Sequence, residues 1–128
     1  MKALLDTHVF LWHVAGDRRL SARCRNLIES ADRELFLSVA GVWEIVLKHQ
    51  LGRLTLDRPP GQYVRHYMRE LRLRSMPIKL KHVLHMPQLP LHHRDPFDRI
   101  QIAQARVESM PILTRDGLIT KYDVPVLW

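Results

Sequence analysis

Short apolar runs alternate along the chain with longer segments whose apolar residues recur at helical spacing. The runs predict β-strands over residues 2–6, 34–38, 75–78, 111–116 and 124–128. The longer segments predict a short helix from residue 7 and further helices over 21–31, 39–50, 62–72, 79–86 and 96–109. Strands that alternate with helices indicate an α/β fold, with a mostly parallel sheet covered on both faces. In such sheets, ligands bind beyond the carboxyl ends of the strands.

The composition adds a strongly basic character to this pattern. The 128 residues suit a single domain over 1–128, and 20 basic against 13 acidic residues give a net charge of +7. Such a balance favours a polyanionic partner, above all nucleic acid, or an acidic protein. The single cysteine, Cys24, excludes an internal disulfide and fits a reducing cytoplasm. Because Asp6 interrupts the first apolar run and no run approaches the ~20 residues that cross a bilayer, we expect a cytoplasmic protein without a membrane segment.

Two aspartates stand at the ends of predicted strands. Asp6 closes the first strand, and Asp116 closes the strand over 111–116. Each has an ordinary structural alternative, since aspartate is a favoured helix N-cap and Asp116 followed by Gly117 is a turn signal. Their shared position at strand ends nevertheless makes both of them candidates for a functional site.

Two further carboxylates lie on helices among apolar neighbours. Glu44 belongs to the helix over 39–50, which is apolar on nearly every side, although a solvated pair with Lys48 is an alternative. Asp98 heads a helical stripe that continues with Ile102 and Ala105. A carboxylate in such surroundings needs a partner or a cation, because burying it unpaired is costly.

Asp95 has a simpler explanation than Asp98. If Pro96 is the first residue of its helix, Asp95 is the N-cap and Asp98 the third residue of a variant capping box. Asp95 is therefore predicted to be a structural helix cap that could also support the neighbouring site. The cap accounts for Asp98 less well.

The four acidic residues are expected to meet at one edge of the sheet. Carboxylates that converge repel one another unless they are protonated or share cations. Oxygen ligands of this kind suit Mg²⁺ or Mn²⁺, and two such ions can activate water against a phosphodiester. The sequence therefore predicts an acidic metal site that contains Asp6, Glu44, Asp98 and Asp116.

Around these residues the sequence resembles a PIN-domain ribonuclease of the VapC-type toxin group. The resemblance is carried, in the family's order and over nearly the whole chain, by "LLDTHVFLW", "SVAGVWEIVLK", "RDPFDRIQIAQA", "PILTRD" and "YDVPVLW". It implies a PIN-like three-layer α/β/α sandwich with a mostly parallel five-stranded sheet. Asp95 matches a feature of a subgroup rather than the general acidic set.

The resemblance also implies an activity. It makes Asp6 and Asp98 the surest ligands of one or two Mg²⁺ or Mn²⁺ ions, with Glu44 and Asp116 completing a catalytic site for the hydrolysis of RNA. It further implies a homodimer and a cognate antitoxin protein that covers the site.

Basic residues are dense in one segment, against a single acid, Glu70. This predicted RNA-binding set comprises Arg65, Arg69, Arg72, Arg74, Lys79 and Lys81. Such a cluster can contact phosphates, which would make binding salt-dependent. A solvated face without a partner is the alternative.

Other functions find little support in the sequence. No HExxH motif or cysteine pair indicates zinc, and adjacent or closely spaced histidines weakly support a metal-independent ribonuclease. The five glycines are isolated, which argues against a glycine-rich phosphate loop. The main competing hypothesis is a catalytically silent binding or assembly module that keeps the basic surface and uses its aspartates as caps.

Overall fold

The computed structural model describes all residues from Met1 to Trp128. Its strands are β1 (Lys2–Leu5), β2 (Glu34–Ser38), β3 (Arg74–Met76), β4 (Ile112–Leu113) and β5 (Val126–Leu127). Its helices are α1 (Thr7–Ala15), α2 (Ala22–Glu29), α3 (Val39–Gln50), α4 (Pro60–Glu70), α5 (Leu80–His85) and α6 (Pro96–Val107). Two 3-10 helices span Met86–Gln88 and Gly117–Tyr122.

The strands form one five-stranded sheet in the order β3-β2-β1-β4-β5, and every neighbouring pair is parallel. The central strand β1 therefore lies between β2 and β4, which follow it at very different distances along the chain. All carboxyl ends point to the same edge, where Asp6 directly follows β1. The predicted α/β fold with a parallel five-stranded sheet is confirmed.

Alternate residues of β1 enter two separate cores, as the period of a strand requires. Ala3 and Leu5 join one core, which also contains Phe10 of α1 and Ile28 of α2. Leu4 points to the other face and packs with the α6 side. The sheet is thus apolar on both faces and covered on both by helices, as expected for parallel strands.

Most predicted elements are present, with differences at their ends. β3 stops before Pro77, which has no N–H to donate to the sheet. α6 ends earlier than predicted, and Ser109 beyond it takes a left-handed φ of 53°. The segment after Asp116 was predicted only as a turn, but it forms the 3-10 helix Gly117–Tyr122. No helix combines the length and the apolar character that a membrane span requires.

Candidate metal centre

Asp6 lies at the carboxyl end of β1 and is held in a fixed orientation. Its Oδ1 accepts a hydrogen bond from the His8 backbone N–H at 2.9 Å, which makes it the N-cap of α1. Its Oδ2 accepts a bond from Thr114 Oγ1 at 2.6 Å. Burial raises the pKa of Asp6, but hydrogen bonds from His8 and Thr114 outweigh it, so the net pKa is lowered. Asp6 is thus both a helix cap and an ionised carboxylate at the edge of the sheet.

Glu44 is a buried carboxylate on α3, only 2% exposed. Its Oε2 accepts a hydrogen bond from Lys48 Nζ at 2.6 Å, one helical turn later. The pair with Lys48 is therefore confirmed, whereas a solvated position for Glu44 is wrong. A buried carboxylate held by one lysine can exchange that cation for another positive group.

Asp95 and Asp98 have different environments at the start of α6. Asp95 Oδ1 accepts bonds from the N–H groups of Phe97 at 2.8 Å and Asp98 at 3.4 Å, so the predicted N-cap is confirmed. The reciprocal bond of a capping box is absent, because the Asp98 carboxylate makes no hydrogen bond or ion pair with the protein. Burial, together with the negative charges of Asp95, Asp6 and Glu44, raises the pKa of Asp98 to about 6.

Asp116 caps the 3-10 helix and contacts a histidine from another segment. Its Oδ1 accepts a bond from the Leu118 N–H at 3.0 Å, and its Oδ2 lies 2.5 Å from His93 Nε2. The Asp116 N–H also donates to Thr114 Oγ1 at 3.0 Å. Thr114 therefore connects the main chain of Asp116 to the carboxylate of Asp6.

The structure brings three of the four predicted carboxylates into electrostatic contact. Asp6 and Asp98 line the same small pocket, and the charges of both Asp6 and Glu44 act on Asp98. Asp116 lies at the same sheet edge but is held by His93. No three acidic, histidine or cysteine side chains form a ready-made metal cluster, and Glu44 and Asp116 are bonded to Lys48 and His93.

The donor set nevertheless fits a hard divalent cation. Every candidate ligand atom is a carboxylate oxygen, the type that Mg²⁺ and Mn²⁺ prefer. Asp98 is half-buried beside Asp6 and has no positive partner of its own. A cation between these two side chains would offset the repulsion between them, which adds to burial in raising the pKa of Asp98.

The helices α1 and α3 approach each other closely beside the candidate site. Gly41 of α3 packs against Thr7 of α1, and a Cβ at position 41 would lie 2.5 Å from Thr7 Oγ1. Thr7 follows Asp6 in the chain and Gly41 lies one turn before Glu44, so this contact joins the two segments that carry these carboxylates.

Several residues of the site are absent from the predicted set. Thr114, His93 and Lys48 each contact one of the four carboxylates. The i,i+4 spacing indicates the Lys48 contact in advance. No local pattern indicates the other two, since Thr114 and Asp6 are 108 positions apart.

The six predicted RNA-binding residues do not form one patch beside the carboxylates. Arg74 and Lys81 pair with Glu34 and Glu108 at 3.1 and 3.0 Å. Arg72 donates to the Ser30 carbonyl at the amino end of β3, away from the site. Arg65, Arg69 and Lys79 have neither an acidic partner nor a bond of this kind to a main-chain carbonyl. The RNA-binding role of the set stays a prediction, with these three as its best candidates.

An apolar groove of about 280 Å³ borders the candidate site. Its wall includes Trp43, which is 60% exposed and packs edge-on against Phe97 with ring centroids 5.1 Å apart. These two aromatics directly precede Glu44 and Asp98. Trp43 is therefore outside the core.

Comparison with known proteins identifies the family. A sequence profile of the PIN domain matches residues 3–125, so the chain belongs to the PIN-domain family. Members of this family are nucleases that generally use divalent metal ions. The family predicted from the sequence motifs is therefore confirmed. A search among curated proteins found no significant match.

Solved structures share the fold over almost their whole length. VapBC2 from Rickettsia felis, bound to a promoter DNA fragment, has a TM-score of 0.75 at 11% identity, with 99% of this chain and 98% of that chain covered. FitAcB from Neisseria gonorrhoeae has a TM-score of 0.65 at 22% identity, covering 100% and 97%. DNA-bound VapBC from Salmonella typhimurium has a TM-score of 0.68 at 14% identity, covering 99% and 97%. At these identities the likeness shows the fold.

Proposed function

We propose that this protein is a divalent-metal-dependent endoribonuclease, a single PIN domain acting in the cytoplasm as the toxin of a toxin–antitoxin pair. The main support is Asp98, a half-buried carboxylate without a partner, placed beside Asp6 and within the field of Glu44. Such an arrangement is unfavourable in the free protein and becomes favourable when a cation binds. The solved relatives of similar fold are toxin–antitoxin complexes, which supports the biological role.

Asp6 and Asp98 are the proposed principal ligands of Mg²⁺ or Mn²⁺, with Glu44 and Asp116 completing a site for one or two ions. A bound cation would lower the pKa of water and neutralise charge that develops on the phosphate. Asp6 enters this site already ionised and oriented by His8 and Thr114. Glu44, once released from Lys48, can act as a ligand or orient the attacking water.

The freed Lys48 ammonium would then be available to the substrate. The Lys48 side chain is 38% exposed at the rim of the site. It could therefore pair with a phosphate of the RNA instead of with Glu44. The exposed residues Arg94 and Arg115, next to Asp95 and Asp116 in the chain, add positive charge at the same edge. In this scheme hydrolysis leaves a 5′-phosphate and a 3′-hydroxyl on the RNA.

Two protein partners belong to the proposal. The first is a second copy of the chain, for which the apolar groove beside α5 offers a surface. Exposed Leu80, Val83 and Leu84 of α5 extend this groove, and an isologous dimer would bury this same surface of both subunits. The second is a cognate antitoxin, whose tail would compete with RNA for the basic surface and the carboxylates.

Cleavage of single-stranded RNA with Mg²⁺ tests the activity. We expect the wild type to cleave the RNA and EDTA to stop cleavage. Asp6→Asn or Asp98→Asn should reduce cleavage by at least ~100-fold, because the loss of a metal ligand removes stabilisation of the transition state. Asp95→Asn is the matched control, since asparagine also caps helices, and should keep most of the activity. Undiminished cleavage in EDTA would contradict the metal dependence.

The catalytically silent module is the alternative, and the same experiment distinguishes it. A folded wild type that binds RNA but does not cut it with Mg²⁺ or Mn²⁺ would favour that alternative. Growth arrest on expression of the wild type, relieved by Asp98→Asn, would support the toxin role.

A further inference from the structure

His93 connects two segments that meet at the candidate metal site. Its ring Nε2 lies 2.5 Å from Asp116 Oδ2, and its Nδ1 lies 2.9 Å from the Tyr122 hydroxyl. The histidine belongs to the loop before α6, whereas Tyr122 ends the 3-10 helix before β5 and Asp116 caps the start of that helix. The loop also carries Asp95, so one short segment contacts both Asp116 and the helix that presents Asp98.

The hydrogen bonds determine which ring nitrogen carries the proton. The Tyr122 side chain is 1% exposed, and its oxygen already accepts the His92 backbone N–H at 3.0 Å. Its buried O–H therefore needs an acceptor, and His93 Nδ1 is the one within reach. The His93 Nε2–H then donates to Asp116, an arrangement in which all three groups are satisfied.

The Asp116 carboxylate is consequently fixed through both of its oxygens. Oδ1 accepts the Leu118 N–H and Oδ2 accepts the His93 Nε2–H. Each carboxylate oxygen can accept more than one bond, so lone pairs are left for a cation. Hydrogen-bond partners that orient a ligating carboxylate commonly matter for metal affinity by about 10–100-fold.

We propose that His93, locked in one tautomer by Tyr122, is a positioning residue that aims Asp116 at the metal site. His93 itself would contact neither the cation nor the RNA. This inference rests on the proposed metal site and adds to it a residue that the carboxylate pattern does not contain. It also gives the buried Tyr122 hydroxyl a role at the site rather than in the core alone.

Mn²⁺ binding to the full chain, measured by electron paramagnetic resonance, tests the inference without relying on activity. We expect His93→Ala to weaken Mn²⁺ binding by about 10-fold or more. His93→Gln, whose amide nitrogen can occupy the place of Nε2, should restore most of the affinity. His92→Ala is the matched control, because it removes an exposed neighbouring imidazole but keeps the backbone N–H that binds Tyr122.

Two further readouts distinguish positioning from general destabilisation. Nitrogen-15 NMR should show a single His93 tautomer, protonated at Nε2, in the wild type and a mixture in Tyr122→Phe. In RNA cleavage, His93→Ala should require more Mg²⁺ while KM for RNA stays unchanged. A general structural defect would not raise the Mg²⁺ requirement while leaving KM for RNA unchanged.

The outcomes separate the two proposals. Wild-type affinity for Mn²⁺ in folded His93→Ala would overturn the positioning role and leave the metal site intact. Failure of the wild type itself to bind Mn²⁺ would overturn the proposed function, and with it the role of His93. If His93→Ala does not fold, His93→Gln and His93→Asn are compared instead. Equal Mn²⁺ affinity in these two variants would overturn the inference, because only the glutamine amide nitrogen can take the place of His93 Nε2 and donate to Asp116.

Discussion

Thr114 donates a 2.6 Å hydrogen bond from Oγ1 to Asp6 Oδ2, and this bond joins two residues, 108 positions apart, that directly follow the neighbouring strands β1 and β4. The same Oγ1 accepts the Asp116 N–H. Thr114 therefore orients Asp6, a proposed principal ligand, and connects it to the main chain of Asp116, a second proposed ligand.

Thr114→Val should impair the site while preserving side-chain volume. Asp6 loses one of the hydrogen bonds that orient its carboxylate and lower its pKa, so that pKa should rise and Mg²⁺ should bind more weakly than in the wild type. The loss of a buried bond to a carboxylate should also reduce the free energy of unfolding by about 1.5–3 kcal/mol. Urea unfolding and Mg²⁺ titration measure the two effects. Thr114→Ser keeps the hydroxyl, and a defect of equal size in both variants would contradict the role assigned to the bond.

Asp98→Asn should stabilise the metal-free protein at neutral pH while abolishing its response to Mg²⁺. The folded-state pKa of about 6 lies above the ordinary value of 3.8, so the wild type loses stability as the pH rises from about 4 to about 6. Asparagine does not ionise and avoids that loss. Because Asp98 is partly exposed, we expect a gain of about 1–2 kcal/mol at pH 7.5.

Urea unfolding in EDTA at pH 4 and pH 7.5 checks this expectation. The stability difference between Asp98→Asn and the wild type should be small at the lower pH and reach its full value at the higher one. Addition of Mg²⁺ should stabilise the wild type alone. A variant less stable than the wild type at pH 7.5 would show that Asp98 has a favourable partner in the free protein.

Gly41→Ala should destabilise the protein because the added methyl group meets Thr7. The 2.5 Å separation from Thr7 Oγ1 forces α1 and α3 apart, at an expected cost of about 1–3 kcal/mol. The rate of RNA cleavage should fall by more than the loss of folded protein accounts for. The reason is that a shift of α1 and α3 also displaces Asp6 and Glu44. Thermal unfolding and cleavage below the melting temperature give the two quantities.

Gly61→Ala on α4 is the matched control and should raise the free energy of unfolding, whereas Gly41→Ala should lower it. Only Arg65 Nη1, at 3.8 Å, lies near a Cβ at that position, so the change should stabilise α4 by up to about 1 kcal/mol. Similar effects of the two substitutions would refute the role of the close contact.

Val83→Asp should dissociate the proposed homodimer without unfolding its subunits. Val83 lines the apolar groove and is 46% exposed, so a carboxylate there is tolerated in a monomer but not in a buried interface. Leu118→Asp is matched in exposure at 46% and lies outside the groove. Light scattering after size-exclusion chromatography should show a monomer only for Val83→Asp. A monomeric wild type would contradict the dimer.

The sequence predicts those features that depend on neighbouring residues. Apolar runs locate the strands, and local hydrogen-bonding chemistry identifies Asp95 as a helix cap. The parallel sheet follows from the alternation of elements, and with it the position of Asp6 at the edge where Asp98 is found.

Contacts between distant segments are beyond such reasoning. His93 and Asp116 meet because a loop and a 3-10 helix pack together, and neither the loop path nor the helix is indicated by periodicity. The burial of Glu44 could not be predicted either, because its spacing from Lys48 is equally compatible with an exposed pair. The roles of all four carboxylates as ligands stay predictions for the experiments above.

The strand order has a consequence for the time at which the protein can become active during synthesis. β1 emerges first from the ribosome, but its neighbour β4 is among the last elements to be translated. Until then Asp6 lacks the Thr114 hydroxyl, and Asp116 has not been made. A nascent chain therefore holds its acidic residues in an incomplete arrangement. Completion of the proposed site therefore waits until β4 and the segment that follows it have been translated and have joined the sheet.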